Sequence, residues 1–346
     1  MKRPVLKDIA DACGISIATV SLILSGKGSI SPALSERVRA AALDLGYDRK
    51  GKASAEGSRR FKYVSILQRE DFPYLWNFSQ PFASYLEEQV IQMGYYPLIM
   101  HIAAAANAKT VFKEITGARV GAVFAIHYAD PELFQALEVA GIPVIIINNS
   151  EYQSRFYSVL ADEVQGAYEA TRQLVVLGHS VIGYADYLRP NYPTLINDRF
   201  FGYRKALEES GLGAVGGAYG EANRIHVNLP DFGTLEKRVA EVFRQASPPT
   251  AFSVHDDYFA AYLLKALENR GLRVPRDISI IATGGDVLDY QVPFIPKINT
   301  MQIDQKLMAS MAWNLFEARL QNPSASVQVL KTKMPFIDRG SCARLS

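Results

Sequence analysis

The sequence predicts a small all-α unit at the N-terminus, followed by a two-lobed α/β body built on parallel, doubly wound sheets. Three observations predict it. Residues 5–46 carry apolar residues at helical spacing, punctuated by cap and turn residues. From Tyr63 onward, short β-branched runs alternate with helical stretches. That body is roughly 285 residues long, more than one such sheet usually holds.

In the N-terminal unit, Leu6, Ile9, Ala10 and Cys13 share one helix face. Gly14 supplies the left-handed residue that ends the helix. Ser16 is an N-cap for a second helix reaching Leu24, with Val20 and Ile23 facing back. Ala10 lets two helices cross closely, Gly14 makes the turn, and Val20 fills the core between them. This is the packing logic of a helix-turn-helix. Ser31-Pro32 opens a third helix ending at Gly46, with proline at the first helical position. The charge agrees: residues 1–62 hold 12 Lys/Arg against 6 Asp/Glu, and the remainder 25 against 29. A basic module on a mildly acidic body suits a polyanionic partner, although a solvated basic tail would look the same.

In the body, strands are expected at 63–68, 97–101, 120–126, 143–148, 181–185, 250–254, 278–282 and 297–301. Helices are expected at 80–93, 131–140, 162–177, 199–210, 234–245, 257–270 and 305–320. No apolar run reaches the ~18–20 residues of a membrane span, and the N-terminus lacks a signal-peptide layout. The expectation is a cytoplasmic protein without a membrane partner. Cys13 and Cys342 lie at opposite ends of the chain and suggest neither a disulfide framework nor a zinc site. There is no Gly-x-Ser-x-Gly elbow, no His-Glu-x-x-His pair and no phosphate-binding glycine loop. Catalytic residues, metal ligands and cofactors are therefore all expected to be none. The rival reading, a solute-binding receptor, would share the two lobes but not the headpiece.

The residues Lys7-Asp8-Ile9-Ala10, Gly14-Ile15-Ser16, Thr19-Val20-Ser21 and Leu24, then Ser31, Arg37-Val38, Ala41-Ala42 and Leu45-Gly46-Tyr47, resemble the headpiece of the lactose-repressor (LacI/GalR) family. The resemblance continues through Gly141-Ile142-Pro143-Val144, Leu177-Gly178-His179, Arg199, Gly202-Tyr203, Ala206-Leu207, Gly271–Pro275, Asp277-Ile278-Ser279 and Pro335…Arg339-Gly340-Ser341. It implies a DNA-binding regulator, acting as a repressor, with a periplasmic-binding-protein-like effector domain. Its partners would be near-palindromic double-stranded operator DNA, a second copy of the chain (a homodimer, with a tetramer as the next assembly) and a carbohydrate-class effector. The implied division is 1–47 headpiece, 48–61 linker and 62–346 effector domain. The lobes would be about 62–160 with 292–322, and 161–291 with 323–346.

Carried over to this chain, Ser16, Thr19 and Ser21 would touch phosphates or base edges. Ile17, Ala18 and Leu22 take the positions that choose the sequence. Being apolar, they cannot make bidentate contacts to guanine or adenine, so thymine methyls and DNA shape should dominate readout. The family places a short helix with a leucine wedge after the Tyr47 position. Here Gly51, Glu56 and Gly57 break that pattern. The stretch reads as a flexible basic linker, with Lys50 and Lys52 acting on phosphates.

Ligands of open α/β sheets bind beyond the carboxyl ends of strands. Trp76 and Phe78, from an aromatic-rich segment after the first strand, are candidates for stacking on a ring. His127 and Asn148 follow the third and fourth strands; a lone histidine is as readily a hydrogen-bonded core residue. Arg199 matches the family arginine that anchors ligand hydroxyls or carboxylates. Asp256 and Asp257 compete as helix N-cap and ligand contact. Asp286, with Asp289 as its rival, completes the set.

Overall fold

The computed structural model describes residues 5–24, 31, 34–35, 37–38, 41–42, 61–69, 76–103, 106–187, 193–213, 218–228, 231–284 and 297–345. The chain divides into two compact units, 1–62 and 63–346.

In the first unit, α1 (Leu6–Cys13) ends at Gly14, whose φ of 63° is left-handed. The Ile15 amide then returns to the Ala10 carbonyl at 3.1 Å. The Thr19 amide donates to Ser16 Oγ at 3.1 Å, so Ser16 caps α2 (Ile17–Leu24) as expected. Positions 34–35, 37–38 and 41–42 are helical. Ile9, Ala10, Cys13, Val20, Ile23, Val38 and Ala42 form one buried core. Arg37 ties the third helical segment to the turn, donating from Nη2 to the Cys13 carbonyl at 2.9 Å.

The second unit contains two six-stranded sheets. The first has β1 (Tyr63–Arg69), β2 (Tyr96–Ile102), β3 (Val120–Ile126), β4 (Val144–Ile147), β5 (Tyr157–Ala161) and β11 (Val329–Thr332), in the order β11-β5-β4-β3-β1-β2. The second has β6 (Ile182–Tyr187), β7 (Arg224–Val227), β8 (Ala251–Val254), β9 (Ser279–Gly284), β10 (Asn299–Gln302) and β12 (Phe336–Ile337), in the order β12-β10-β9-β8-β6-β7. Among the described residues, all strand pairings are parallel except β10 with β12. The helices are α3 (Trp76–Gln92), α4 (Ala108–Gly117), α5 (Pro131–Val139), α6 (Glu163–Val176), α7 (Pro193–Glu209), α8 (Phe232–Val242), α9 (Asp257–Glu268) and α10 (Gln305–Gln321). Each sheet buries its own core, near-continuous in apolar residues because both faces are covered.

Two expected lobe crossings move. β10 pairs with β9, so the chain stays in the second lobe through Gln302 rather than leaving near Val292. β11 pairs with β5, so the final crossing falls between Thr332 and Phe336, not at Pro323. The first crossing lies at Ala161–Asp162, beside the expected Leu160. α7 also begins six residues earlier than expected, on Pro193, where a proline fits the first turn. Strands β5, β7, β11 and β12, and helix α4, were absent from the sequence reading.

The Leu177-Gly178-His179 motif is structural. Buried His179 bridges three segments: Nδ1 to Thr250 Oγ1 at 2.9 Å, and Nε2 to Ser279 Oγ at 3.0 Å and the Ala343 carbonyl at 3.1 Å. Burial lowers its pKa. The unfolded imidazole therefore takes up a proton before the folded one does. This stability contribution is complete above the ordinary value of about 6.5 and is lost as pH falls through the folded value. Thermal unfolding of His179→Gln should accordingly lose part of the acid-side drop in melting temperature that the unsubstituted protein shows. Identical pH profiles for the two proteins would contradict this assignment.

Candidate nucleic-acid interface and effector cleft

On α2 the burial pattern separates two faces. Val20 and Ile23 pack inward at 0% and 4% exposure, whereas Ile17 and Leu22 stand out at 47% and 46%. Ser16 and Ala18 are also exposed, and Thr19 and Ser21 are half-buried. Ser16 Oγ lies 2.8 Å from Thr19 Oγ1, so both hydroxyls sit at the amino end of α2, where backbone N–H groups and the helix dipole favour a phosphate. Lys50 and Lys52 lie outside the described residues.

In the first lobe, His127 and Asn148 terminate neighbouring strands. Both take left-handed backbone, φ 51° and 50°, uncommon for residues other than glycine. The His127 amide donates to the Ile147 carbonyl at 2.9 Å, which sets the two positions side by side. Buried His127 meets the ring of Phe78 edge-on at 4.6 Å, so the candidates from β3 and α3 do come together. Asn148 Oδ1 accepts the Ala161 amide at 3.1 Å, which ties the end of β4 to the end of β5. Trp76 begins α3; its side chain lies outside the described residues.

In the second lobe, Gly202 decides where Arg199 goes. A Cβ at Gly202 would meet the Val164 carbonyl oxygen at 2.2 Å, so glycine is what lets α7 press against α6. That contact brings Arg199 of α7 against Glu163, the first residue of α6. Arg199 donates Nε–H to Glu163 Oε2 at 2.5 Å, and Nη1–H to the carbonyls of His255 at 2.5 Å and Thr283 at 3.0 Å. The guanidinium thereby clasps the start of α6, the end of β8 and the end of β9. Burial works against its charge, but the Glu163 carboxylate outweighs burial and raises the Arg199 pKa.

Asp256 is the N-cap of α9, accepting the Phe259 amide at 2.7 Å and the Tyr187 hydroxyl at 2.7 Å. Asp257 turns elsewhere. Its Oδ2 accepts the Thr300 hydroxyl at 2.9 Å and its Oδ1 lies 3.6 Å from Arg339 Nη1. Those partners belong to β10 and the C-terminal segment, which Asp257 braces. Asp286 and Asp289 lie outside the described residues.

Three groups escaped the sequence reading. Glu163 follows β5, a strand not recognised in the sequence. Asp186, fully buried at the end of β6, holds Arg224 Nη2 at 2.6 Å and His226 Nδ1 at 2.6 Å, while the Arg224 guanidinium covers the Phe200 ring at 3.9 Å. Ser150, just beyond β4, donates to Asp198 Oδ2 of α7 at 3.2 Å and so joins the two lobes beside Arg199. Burial raises the Asp198 pKa, with Glu163 adding to it against the Ser150 hydrogen bond. Asp198-Arg199 was the one signal in the sequence: an acid beside an arginine otherwise singled out.

A helix-turn-helix with an exposed second-helix face, followed along the chain by two lobes joined at Ser150 and Asp198, is the layout of a DNA-binding regulator of the sensor type. Comparison with known proteins supports that class. Residues 5–50 match the model for bacterial regulatory proteins of the lacI family, and residues 171–342 match a periplasmic binding protein-like domain. The HTH-type transcriptional regulator DegA of Bacillus subtilis is 26% identical over 297 residues, 83% of each chain. Among solved structures, a complex of the transcriptional regulator CelR with cellobiose superposes with a TM-score of 0.67 at 21% identity, covering 98% of this chain and 100% of the other. The lac repressor dimer bound to operator and the anti-inducer ONPF gives 0.65 at 18% identity, covering 99% and 100%. These structural likenesses establish the fold. The chain belongs to the lacI family of bacterial regulatory proteins, and it is a DNA-binding transcription regulator rather than an enzyme.

Proposed function

We propose that this protein is a cytoplasmic repressor whose grip on near-palindromic operator DNA is set by a carbohydrate held between its lobes. The observation that carries the DNA half is the outward apolar face of α2, where Ile17 and Leu22 are 47% and 46% exposed and Ala18 is exposed beside them. They meet thymine methyls in the major groove, while Ser16, Thr19, Ser21, Lys50 and Lys52 hold phosphates. The working parts are 1–47, 48–61 and 62–346. The effector is held by Trp76, Phe78, His127, Asn148, Arg199, Asp256 and Asp286. The cellobiose complex of CelR supports a carbohydrate, and no helix among the described residues is long and apolar enough to cross a membrane.

One headpiece reads a half-site, so two copies act together. The sequence points to Phe82–Val90 as an apolar dimer face, but Phe82, Leu86 and Val90 are fully buried within the first lobe. Tyr85, Ile91, Tyr96 and Ile99, on α3 and the edge strand β2, remain outward and make the better face.

Selection of bound sequences from random duplex DNA tests the reading. A near-palindrome is expected, and its affinity should fall steeply with salt, by roughly 0.9 in log–log slope per neutralised phosphate. Replacing Lys50 and Lys52 by Ala should flatten that slope by almost two. Recovery of no preferred sequence would refute the proposal.

A further inference from the structure

We infer that the cleft excludes anionic effectors, so that the ligand Arg199 helps to hold is an uncharged, hydroxyl-bearing molecule. The inference rests on the effector reading above and narrows it. An arginine at the floor of a ligand cleft ordinarily invites a carboxylate or a phosphate, because its guanidinium forks onto two oxygens. Here the invitation is withdrawn. Arg199 is 4% exposed and already has its own carboxylate, Glu163, at 2.5 Å. Its Nη1 is spent on two backbone carbonyls.

The neighbouring charges follow the same rule. Arg224 is matched by fully buried Asp186 at 2.6 Å. Asp256 and Asp198 add two more carboxylates on the same lobe, each meeting a neutral hydroxyl, from Tyr187 and Ser150. Among the described residues around Arg199, acids therefore outnumber bases. An incoming anion would meet carboxylates that already hold the positive charge, in a setting where burial strengthens their repulsion.

What the site offers instead is acceptors and a hydroxyl. Among the described residues, Glu163 Oε1 is buried and accepts no hydrogen bond, and the buried Tyr184 hydroxyl has no partner either. A buried carboxylate oxygen without a donor is costly, and a ligand O–H is a neutral group that can satisfy it. Asp256 and Asp186 already accept from Phe259, Tyr187, Arg224 and His226, and they add negative charge near Tyr184. A polyol matches this arrangement; a sugar phosphate or a uronate does not.

The test compares the full chain with Glu163→Gln, which keeps the shape and removes the neutralising charge, and with Glu163→Gln/Arg199→Met. Inorganic phosphate, glucose 6-phosphate and glucuronate are titrated in thermal-shift measurements. The unsubstituted protein should show no saturable shift with any of the three. Glu163→Gln should bind phosphate about tenfold or more tightly, the factor expected for one charge-assisted hydrogen bond. The double variant should lose that gain. A saturable shift of the unsubstituted protein by any of the three anions overturns the inference, whether or not the variants fold. Folded Glu163→Gln that gains no phosphate affinity overturns it as well. Glucose, galactose, ribose and cellobiose form a separate panel. If none of them shifts the protein while the anion results hold, the carbohydrate reading falls and the exclusion of anions stands.

Discussion

Replacing Arg199 by Ala is expected to destabilise the effector domain by about 3–5 kcal/mol, the usual cost of leaving one partner of a buried ion pair behind. Glu163 would keep its charge in a site with no cation to hold it, and the His255 and Thr283 carbonyls would lose the donor that clasps the ends of β8 and β9. For a domain of this size the melting temperature should drop by roughly 10 °C. Removing both members, Arg199→Met with Glu163→Met, should recover most of that loss, because no unpaired charge remains. If Arg199 contacts the effector as proposed, both variants should lose the effector response. Thermal unfolding and effector-dependent operator binding separate the two effects. Equal destabilisation by the single and double variants would show that the ion pair is not what Arg199 contributes.

Gly14→Val should have the largest effect on DNA. Gly14 has φ +63° and open space where a Cβ would stand, so the penalty is one of backbone and not of collision. That conformation costs an ordinary L-residue about 1–2 kcal/mol, and a β-branched one more. The headpiece is small, its core holding seven buried side chains among the described residues, and it has little stability to lose. Operator affinity should fall towards the non-specific level, roughly a thousandfold. Melting of the 63–346 unit should stay where it was. A Gly14→Val protein that still binds its selected operator would refute the helix-turn-helix assignment.

Much of this was legible before any coordinates. The period of the apolar residues and the cap at Ser16 depend on neighbours within four or five positions, so α1, α2 and most long helices could be read directly. The same holds for β3, a seven-residue apolar run with both faces covered. β7 and β11 were not legible. Arg224–Val227 and Val329–Thr332 are four residues each at a sheet edge or next to a crossing. Their strand character comes from hydrogen bonds to partners far along the chain, and neither is apolar enough to announce itself. Missing β11 displaced the final lobe crossing, and the second moved because β10 pairs with β9.

The cleft divides along the same line. The sequence by itself determined that a helix-turn-helix precedes a doubly wound body, and which strand ends bear polar and aromatic residues, because local periodicity and cap chemistry carry both. Only the tertiary structure decided what those residues do. Asp256 and Asp257 are adjacent in the chain, yet one caps α9 and the other braces β10, because successive residues at a helix start point in different directions. Arg199 was visible as an arginine, but its charge was set by Glu163, thirty-six positions away and brought to it by the close approach of α6 and α7 at Gly202. A side chain's type is written in the sequence; whether its charge is free to meet a ligand depends on which groups folding places within hydrogen-bond distance.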